Sequence, residues 1–134
     1  KEASANIKSE VNAVAESRPM YEQRSWGEYR VIDSSVFPDG AKALTKELII
    51  REGGQLDYLR HMHRGEVWTV ISGTGEVVLD GLVQQVRAGS VVQIPSGMPH
   101  SARAVGGDLH VIEVQHGEIL VKEDIDRIGL FWKE

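Results

Sequence analysis

The 134-residue chain contains no cysteine, and aromatic residues make up only 6% of it. The lack of cysteine excludes disulfides, thiol catalysis and thiolate metal sites. No apolar run reaches the length needed to cross a bilayer, so we expect no membrane partner. The first sixteen residues lack the apolar core of a signal peptide, which leads us to expect a cytoplasmic protein.

An excess of positive charge is also missing. The chain carries 15 basic and 20 acidic residues, which gives a formal net charge of −5. Nucleic-acid-binding domains carry a basic patch or stripe, so this balance argues against a nucleic-acid partner. Hydrophobic and charged contents of 41% and 26% are ordinary for a globular protein. The length suits one domain with a single core.

Short β-type runs separated by turns fill the chain from Trp26 to Gln115. Asp80-Gly81 between two such runs is a strong hairpin signal, and no crossover helix interrupts the series. We therefore predict an all-β sandwich or barrel, with short helices over residues 4–16 and 123–131. The predicted organisation is an N-terminal helical arm (1–22), a barrel (23–120) and a C-terminal segment packed on the barrel (121–134).

Three of the five histidines stand in a pattern that is typical of metal sites. His61 and His63 are two residues apart, so on a strand they share one face. Arg64-Gly65 fits a two-residue hairpin turn, which would put Glu66 directly across from His63. His100 follows a proline-rich loop and can reach the same face from a later strand.

These side chains predict a divalent metal site made of His61, His63, Glu66 and His100. Histidine and carboxylate donors accept Zn, Mn, Fe, Ni or Co, so the pattern leaves the metal open. Glu66 has two alternatives, as a hydrogen-bond acceptor for a ligand imidazole or as a catalytic base. Trp68 falls across from His61 in the same predicted hairpin, either lining the pocket or packed in the core.

Two runs, from Gly54 to Gly73 and from Gly89 to His100, resemble the two cupin motifs. Four segments are similar to the type II mannose-6-phosphate isomerase domain, the isomerase half of bifunctional mannose-1-phosphate guanylyltransferases: Arg24–Ile32, His63–Thr74, Ile112–Gly117 and Glu123–Arg127. The resemblance implies a cupin double-stranded β-helix, that is, an all-β jelly-roll barrel.

The chain departs from that family at three positions near the motifs. Leu59 stands where the family usually has Gln, Val67 where it has His, and Glu47 where it commonly has Arg. We therefore expect a retained metal site in an altered sugar-phosphate pocket.

The resemblance implies aldose–ketose isomerisation of a sugar phosphate, assisted by the metal. Glu66 is the first candidate for the proton-transferring carboxylate and Glu113 the second. Arg64 could hold phosphate or stabilise an oxyanion, or be a solvated turn residue. The candidate substrate contacts are Arg64, Lys46, Trp68 and Gln115, with a surface lysine as the alternative for Lys46.

Two other functions fit the same pattern. One is a different metal-dependent cupin enzyme, such as a small-molecule oxygenase or an isomerase of unphosphorylated sugars. The other is a non-catalytic module that binds a sugar or an anion in the barrel mouth. The expected partners are a small-molecule substrate and, because exposed sheet edges need cover, a second copy of the chain in a homodimer.

Overall fold

A computed structural model of the protein describes residues 20–133, and these residues form eleven β-strands without a helix. No element in that range is a helix long and apolar enough to span a membrane. The strands are β1 (Tyr21–Arg24), β2 (Gly27–Val36), β3 (Lys42–Ile50), β4 (Tyr58–Arg60), β5 (Gly65–Ser72), β6 (Thr74–Leu79), β7 (Leu82–Arg87), β8 (Val91–Ile94), β9 (His100–Ala104), β10 (Leu109–Gly117) and β11 (Asp126–Gly129).

The strands form two antiparallel sheets that share one core. The first sheet has the order β1-β2-β3-β10-β5-β8 and the second the order β11-β4-β9-β6-β7. From β3 to β11, each strand lies in the other sheet from the strand before it, except for the β6–β7 hairpin. This alternation is the jelly-roll pattern. Side chains from both sheets are almost fully buried between them, among them Leu44, Ile50, Val77, Ala102 and Leu109. The all-β prediction is confirmed.

The hairpin predicted at Asp80-Gly81 is confirmed as well. Leu79 pairs with Leu82, which leaves a two-residue turn between β6 and β7. Asp80 and Gly81 have φ values of 47° and 83°. Two successive left-handed residues define the turn type whose twist matches that of the flanking strands.

The C-terminal helix predicted over residues 123–131 is wrong. Asp126–Gly129 form β11, which pairs with β4 at the edge of the second sheet. The open edge of β4 supplies the hydrogen-bond partners that a helix would have found within itself. The helix predicted over residues 4–16 lies outside the described residues.

The hairpin predicted around Arg64-Gly65 is also wrong, because β4 and β5 belong to different sheets. Residues 61–64 cross from one sheet to the other. Gly65 is the first residue of β5, and its backbone is covered by the imidazole of His116. A Cβ at this position would lie 2.7 Å from His116 Cε1. Gly65 therefore allows a close approach rather than a turn.

The true cross-strand partners put a polar layer inside the barrel. On the inner face of β3, β10 and β5, Lys46, Glu113 and Trp68 lie side by side. Gln115 and Glu66 form the next pair, two residues along β10 and β5. The predicted pairings of Glu66 with His63 and of Trp68 with His61 do not occur. The polar residues face a cavity, whereas the same strands bury apolar residues further along.

Candidate metal centre

A cavity of about 260 Å³ lies between the sheets, bordered by this polar layer. Its walls come from β3, β5 and β10 on one side and from β4, β9 and β11 on the other. All but one of the predicted site residues line it: Lys46, His61, Arg64, Glu66, Trp68, His100, Glu113 and Gln115. The exception is His63.

Three of the four predicted metal ligands meet at the cavity wall. His61, Glu66 and His100 each offer a donor atom, and these atoms lie within 4.8 Å of one another. Nε2 of His61 is 3.1 Å from Oε2 of Glu66, and Nε2 of His100 is 3.6 Å from Oε1. Adjacent ligands on an octahedral ion with bonds of about 2.1 Å are roughly 3.0 Å apart, so these separations suit a shared divalent ion.

The two imidazoles present the correct nitrogen to such an ion. Nδ1 of His61 lies 2.7 Å from the carbonyl oxygen of Asp124, and Nδ1 of His100 lies 2.9 Å from that of Met98. A carbonyl oxygen can only accept, so Nδ1 carries the hydrogen in both rings. Each ring then directs Nε2 at Glu66, as ligand histidines do when a backbone carbonyl orients them.

The structure does not bring His63 to the other three donors. Its side chain is exposed, while its backbone N–H donates to Oδ2 of Asp124 at 2.9 Å. The prediction assumed a strand, in which residues two apart share a face. Residues 61–64 are not a strand, so the alternation of side chains fails there.

Arg64 takes the inward direction that was predicted for His63. Its side chain is only 5% exposed, and Nε donates to Oε2 of Glu66 at 3.1 Å. Nη2 lies 3.1 Å from Nε2 of His61. The solvated turn residue considered from the sequence is therefore excluded. The guanidinium contacts the two atoms that a metal ion would use and compensates the charge of Glu66.

The electrostatic environment favours Glu66 as a ligand rather than as a base. Burial by itself raises the pKa of this carboxyl, but its contacts with His61, His100 and Arg64 outweigh the effect of burial and hold the pKa well below its usual range. Burial lowers the pKa of His100, which favours the neutral form of that imidazole. An ionised carboxylate and a neutral imidazole are the protonation states that metals bind.

Glu113 has the opposite character. Burial, supported by the negative charge of Glu66, raises the pKa of the Glu113 carboxyl. Oε1 accepts from Nε1 of Trp68 at 3.0 Å, and Oε2 accepts from Nε2 of Gln115 at 2.8 Å. Nε1 of Trp68 also lies 3.1 Å from Oε1 of Glu66. Trp68 is thus both a buried core residue and the link between the two carboxyls.

Lys46 also belongs to this inner layer, and the surface lysine considered as an alternative is excluded. It lies across from Glu113 in the β3–β10 pairing. Its Nζ is 4.3 Å from the centroid of the Tyr29 ring, a cation–π contact. The residue adds positive charge to the cavity wall.

Of the three departures from the resembled family, only Leu59 lines the cavity. Glu47 faces outward, where it contacts His110 at 2.7 Å and Arg30 at 2.9 Å. Val67 follows the inward Glu66 on β5, so its side chain points to the other face of the sheet. The expected alteration of the pocket is therefore limited to Leu59.

Asp124 contributes to the site although it is not among the predicted site residues. Its carboxylate accepts the backbone N–H groups of Met62 and His63, both at 2.9 Å. Burial raises the pKa of Asp124, but these two hydrogen bonds lower it by more, so the net shift of the pKa is downward. The residue lies more than sixty positions from His61, and only the tertiary fold brings them together.

Comparisons with known proteins identify the family of the chain. Residues 11–129 match the family model described as "Mannose-6-phosphate isomerase C-terminal". The alginate biosynthesis protein AlgA of Pseudomonas putida is 35% identical over 105 residues, 78% of this chain and 21% of that protein. Mannose-1-phosphate guanylyltransferase of Escherichia coli K12 is 32% identical over 107 residues, 79% and 21% of the two chains. The chain thus spans about a fifth of these relatives.

Solved structures support the cupin fold. Oxalate decarboxylase of Bacillus subtilis superimposes with a TM-score of 0.66 at 17% identity, over 81% of this chain and 30% of that one. CapF of Staphylococcus aureus, a capsular polysaccharide assembling protein, gives 0.63 at 18% identity, over 82% and 33%. At these identities the likeness concerns the fold alone. The family match covers nearly the whole chain, and the chain therefore belongs to the mannose-6-phosphate isomerase C-terminal family of cupin domains.

Proposed function

We propose that the domain binds one divalent metal ion through His61, Glu66 and His100 and isomerises a sugar phosphate between its aldose and ketose forms. One observation carries the proposal: two buried carboxyls, Glu66 and Glu113, border one cavity, and their pKa values shift in opposite directions. Such a pair divides the work between an ionised ligand and a proton carrier. Membership of the family supports mannose 6-phosphate as the substrate to try first.

The roles of the residues follow from their contacts. When bound, the ion would polarise the carbonyl oxygen of the sugar. Glu113 would take the proton from one carbon and return it to its neighbour, because its raised pKa brings the carboxyl closer to neutral pH. Trp68 and Gln115 hold both Glu113 oxygens and so fix the plane of the carboxyl.

The cations of the cavity suit an anionic substrate. Arg64 lies beside the proposed metal ligands and could stabilise negative charge that develops on the sugar oxygen. Lys46 lies across from Glu113 and could attract the phosphate. Both assignments follow from position and charge.

The direct test is conversion of mannose 6-phosphate to fructose 6-phosphate by metal-loaded protein. We expect wild-type turnover, retained metal but at least ~100-fold lower kcat in Glu113→Gln, and loss of both metal and turnover in His100→Ala. Wild-type turnover no higher than that of the His100→Ala variant would contradict the proposal.

A non-catalytic sugar- or anion-binding domain is the second candidate. Leu59 favours it, since an apolar side chain lines the cavity where related domains usually carry a polar one. Calorimetry would separate the two functions. Tight binding of mannose 6-phosphate by metal-loaded protein, without turnover, would support the binding domain.

A further inference from the structure

The connection between β10 and β11, residues 118–125, covers the segment that carries His61. Asp124 makes three of the contacts between them. Its Oδ1 and Oδ2 accept the N–H groups of Met62 and His63, and its carbonyl oxygen accepts Nδ1–H of His61. Nη1 of Arg64 adds a longer contact of 3.4 Å to the carbonyl of Val121.

We infer that Asp124 is a positioning residue that holds the His61 imidazole with Nε2 directed at Glu66. The two parts of the residue have different tasks. The carboxylate fixes the backbone at residues 62 and 63, and the carbonyl fixes the ring and its tautomer. The His61 ring therefore keeps its orientation only while the Asp124 carboxylate holds the backbone of residues 62 and 63 close to the Asp124 carbonyl. The inference rests on the proposed metal site.

Asp124 is itself fixed in place on both sides. Its N–H donates to the carbonyl of Val121 at 3.2 Å, which closes a turn ahead of it. Immediately after it, β11 pairs with β4, with Asp126 opposite Arg60. Strand β4 leads directly into His61, so the β4–β11 pairing aligns the hydrogen-bond donor, His61, with the acceptor, the carbonyl of Asp124. The position of Asp124 relative to His61 is thus set by the strand pairing of the second sheet.

The backbone of His61 is held independently from the other side. Its carbonyl accepts the N–H of Gly97 at 2.7 Å, from the loop that leads into His100. Loss of the Asp124 carboxylate should therefore loosen the ring and residues 62–63, and leave the strand ends in place. A positioning role and a general role in folding are separable for this reason.

The chain offers a matched control two residues away. Asp126 lies in the same part of the chain, and its carboxylate is more exposed and pairs with Arg60 at 2.7 Å, away from the imidazoles. Exposed ion pairs contribute little to stability. Asp124→Ala and Asp126→Ala thus remove the same group from neighbouring positions, but only the first change reaches His61.

The first measurement uses metal-free protein. ¹⁵N NMR of the histidine rings should show His61 protonated at Nδ1 and protected from exchange in the wild type and in Asp126→Ala. We expect the protection to be lost in Asp124→Ala, while the His100 ring keeps its signals. Asp124→Asn retains one acceptor oxygen and should recover part of the protection, and it decides the question if Asp124→Ala does not fold. An unchanged His61 ring in Asp124→Ala, or in Asp124→Asn if Asp124→Ala does not fold, would overturn the inference.

The second measurement is calorimetric titration with Zn²⁺. Removal of a group that orients a ligand typically weakens metal binding by about 10- to 100-fold. We expect a loss of that size in Asp124→Ala, and less than about 3-fold in Asp126→Ala. Wild-type affinity in Asp124→Ala would also overturn the inference. A wild-type protein that binds no Zn²⁺ would instead refute the proposed metal site, and the NMR result would still decide the positioning role.

Discussion

The two imidazoles of the site reach the same carboxylate, but they are oriented over very different sequence distances. His100 donates to the carbonyl of Met98, two residues earlier, whereas His61 donates to that of Asp124, 63 residues later. The His100 arrangement is local, since Met98 N–H also closes a turn onto Pro95. The His61 arrangement needs the assembled second sheet. One ligand is set by a short motif and the other by the tertiary fold.

The largest effect should come from a change that removes the shared partner of both imidazoles. Glu66→Gln takes away the anionic ligand and leaves Arg64 buried without its counter-charge. We expect Zn²⁺ affinity to fall more than ~100-fold, by the loss of a primary ligand, and stability to fall by about 3–5 kcal/mol. Calorimetry and urea unfolding measure the two effects. The outward-facing Glu47→Gln is the control, and equal affinity in the two variants would be inconsistent with the site.

Glu113→Gln should separate chemistry from metal binding. We expect about 100-fold lower kcat with Zn²⁺ affinity unchanged within a few-fold, because the side chain touches no proposed ligand imidazole. A general base must be deprotonated, so wild-type kcat should rise with pH through the raised pKa of Glu113. The variant should lack that rise. The same pH profile in both proteins would exclude Glu113 as the base.

Arg64→Ala should act in the opposite direction on the metal. The guanidinium contacts both Nε2 of His61 and Oε2 of Glu66, so it competes with an incoming cation. We expect Zn²⁺ to bind about 10-fold more tightly, since a nearby like charge at an effective dielectric of 20 is worth a few kcal/mol before screening. Metal-free protein should unfold at lower urea. Weaker Zn²⁺ binding would show instead that Arg64 supports the site.

A smaller effect on metal affinity is expected at Gly97, which connects the loop before His100 to the backbone of His61. Gly97 has a φ of 83° and donates its N–H to the carbonyl of His61. Nothing would clash with a Cβ there, so Gly97→Ala should cost only the backbone strain, about 1 kcal/mol. We expect Zn²⁺ affinity to fall no more than a few-fold. Gly40→Ala, also left-handed and unobstructed but remote, is the control for strain alone.

The same contrast explains what could be predicted from the sequence. Most strands from β2 to β10 and the turn at Asp80-Gly81 follow from local patterns, and so does the position of His100, so the sequence predicts them. Arg64-Gly65 imitates a local hairpin turn, yet its flanking strands pair with β9 and β10, which are distant in sequence. Because of this long-range pairing, the Arg64 side chain points inward and the His63 side chain outward, the opposite of the prediction. The contact of Asp124 with His61 also depends on long-range pairing, so local patterns do not indicate it. The inner position of Glu113 was suggested only by resemblance.

The most direct test compares the two histidines of the His61-Met62-His63 run. In the structure only His61 faces Glu66, and His63 points to solvent. Zn²⁺ titration should therefore give an affinity within about 3-fold of wild type for His63→Ala and a loss of more than ~100-fold for His61→Ala. Equal losses in the two variants would contradict the three-ligand site and restore the four-ligand set predicted from the motif.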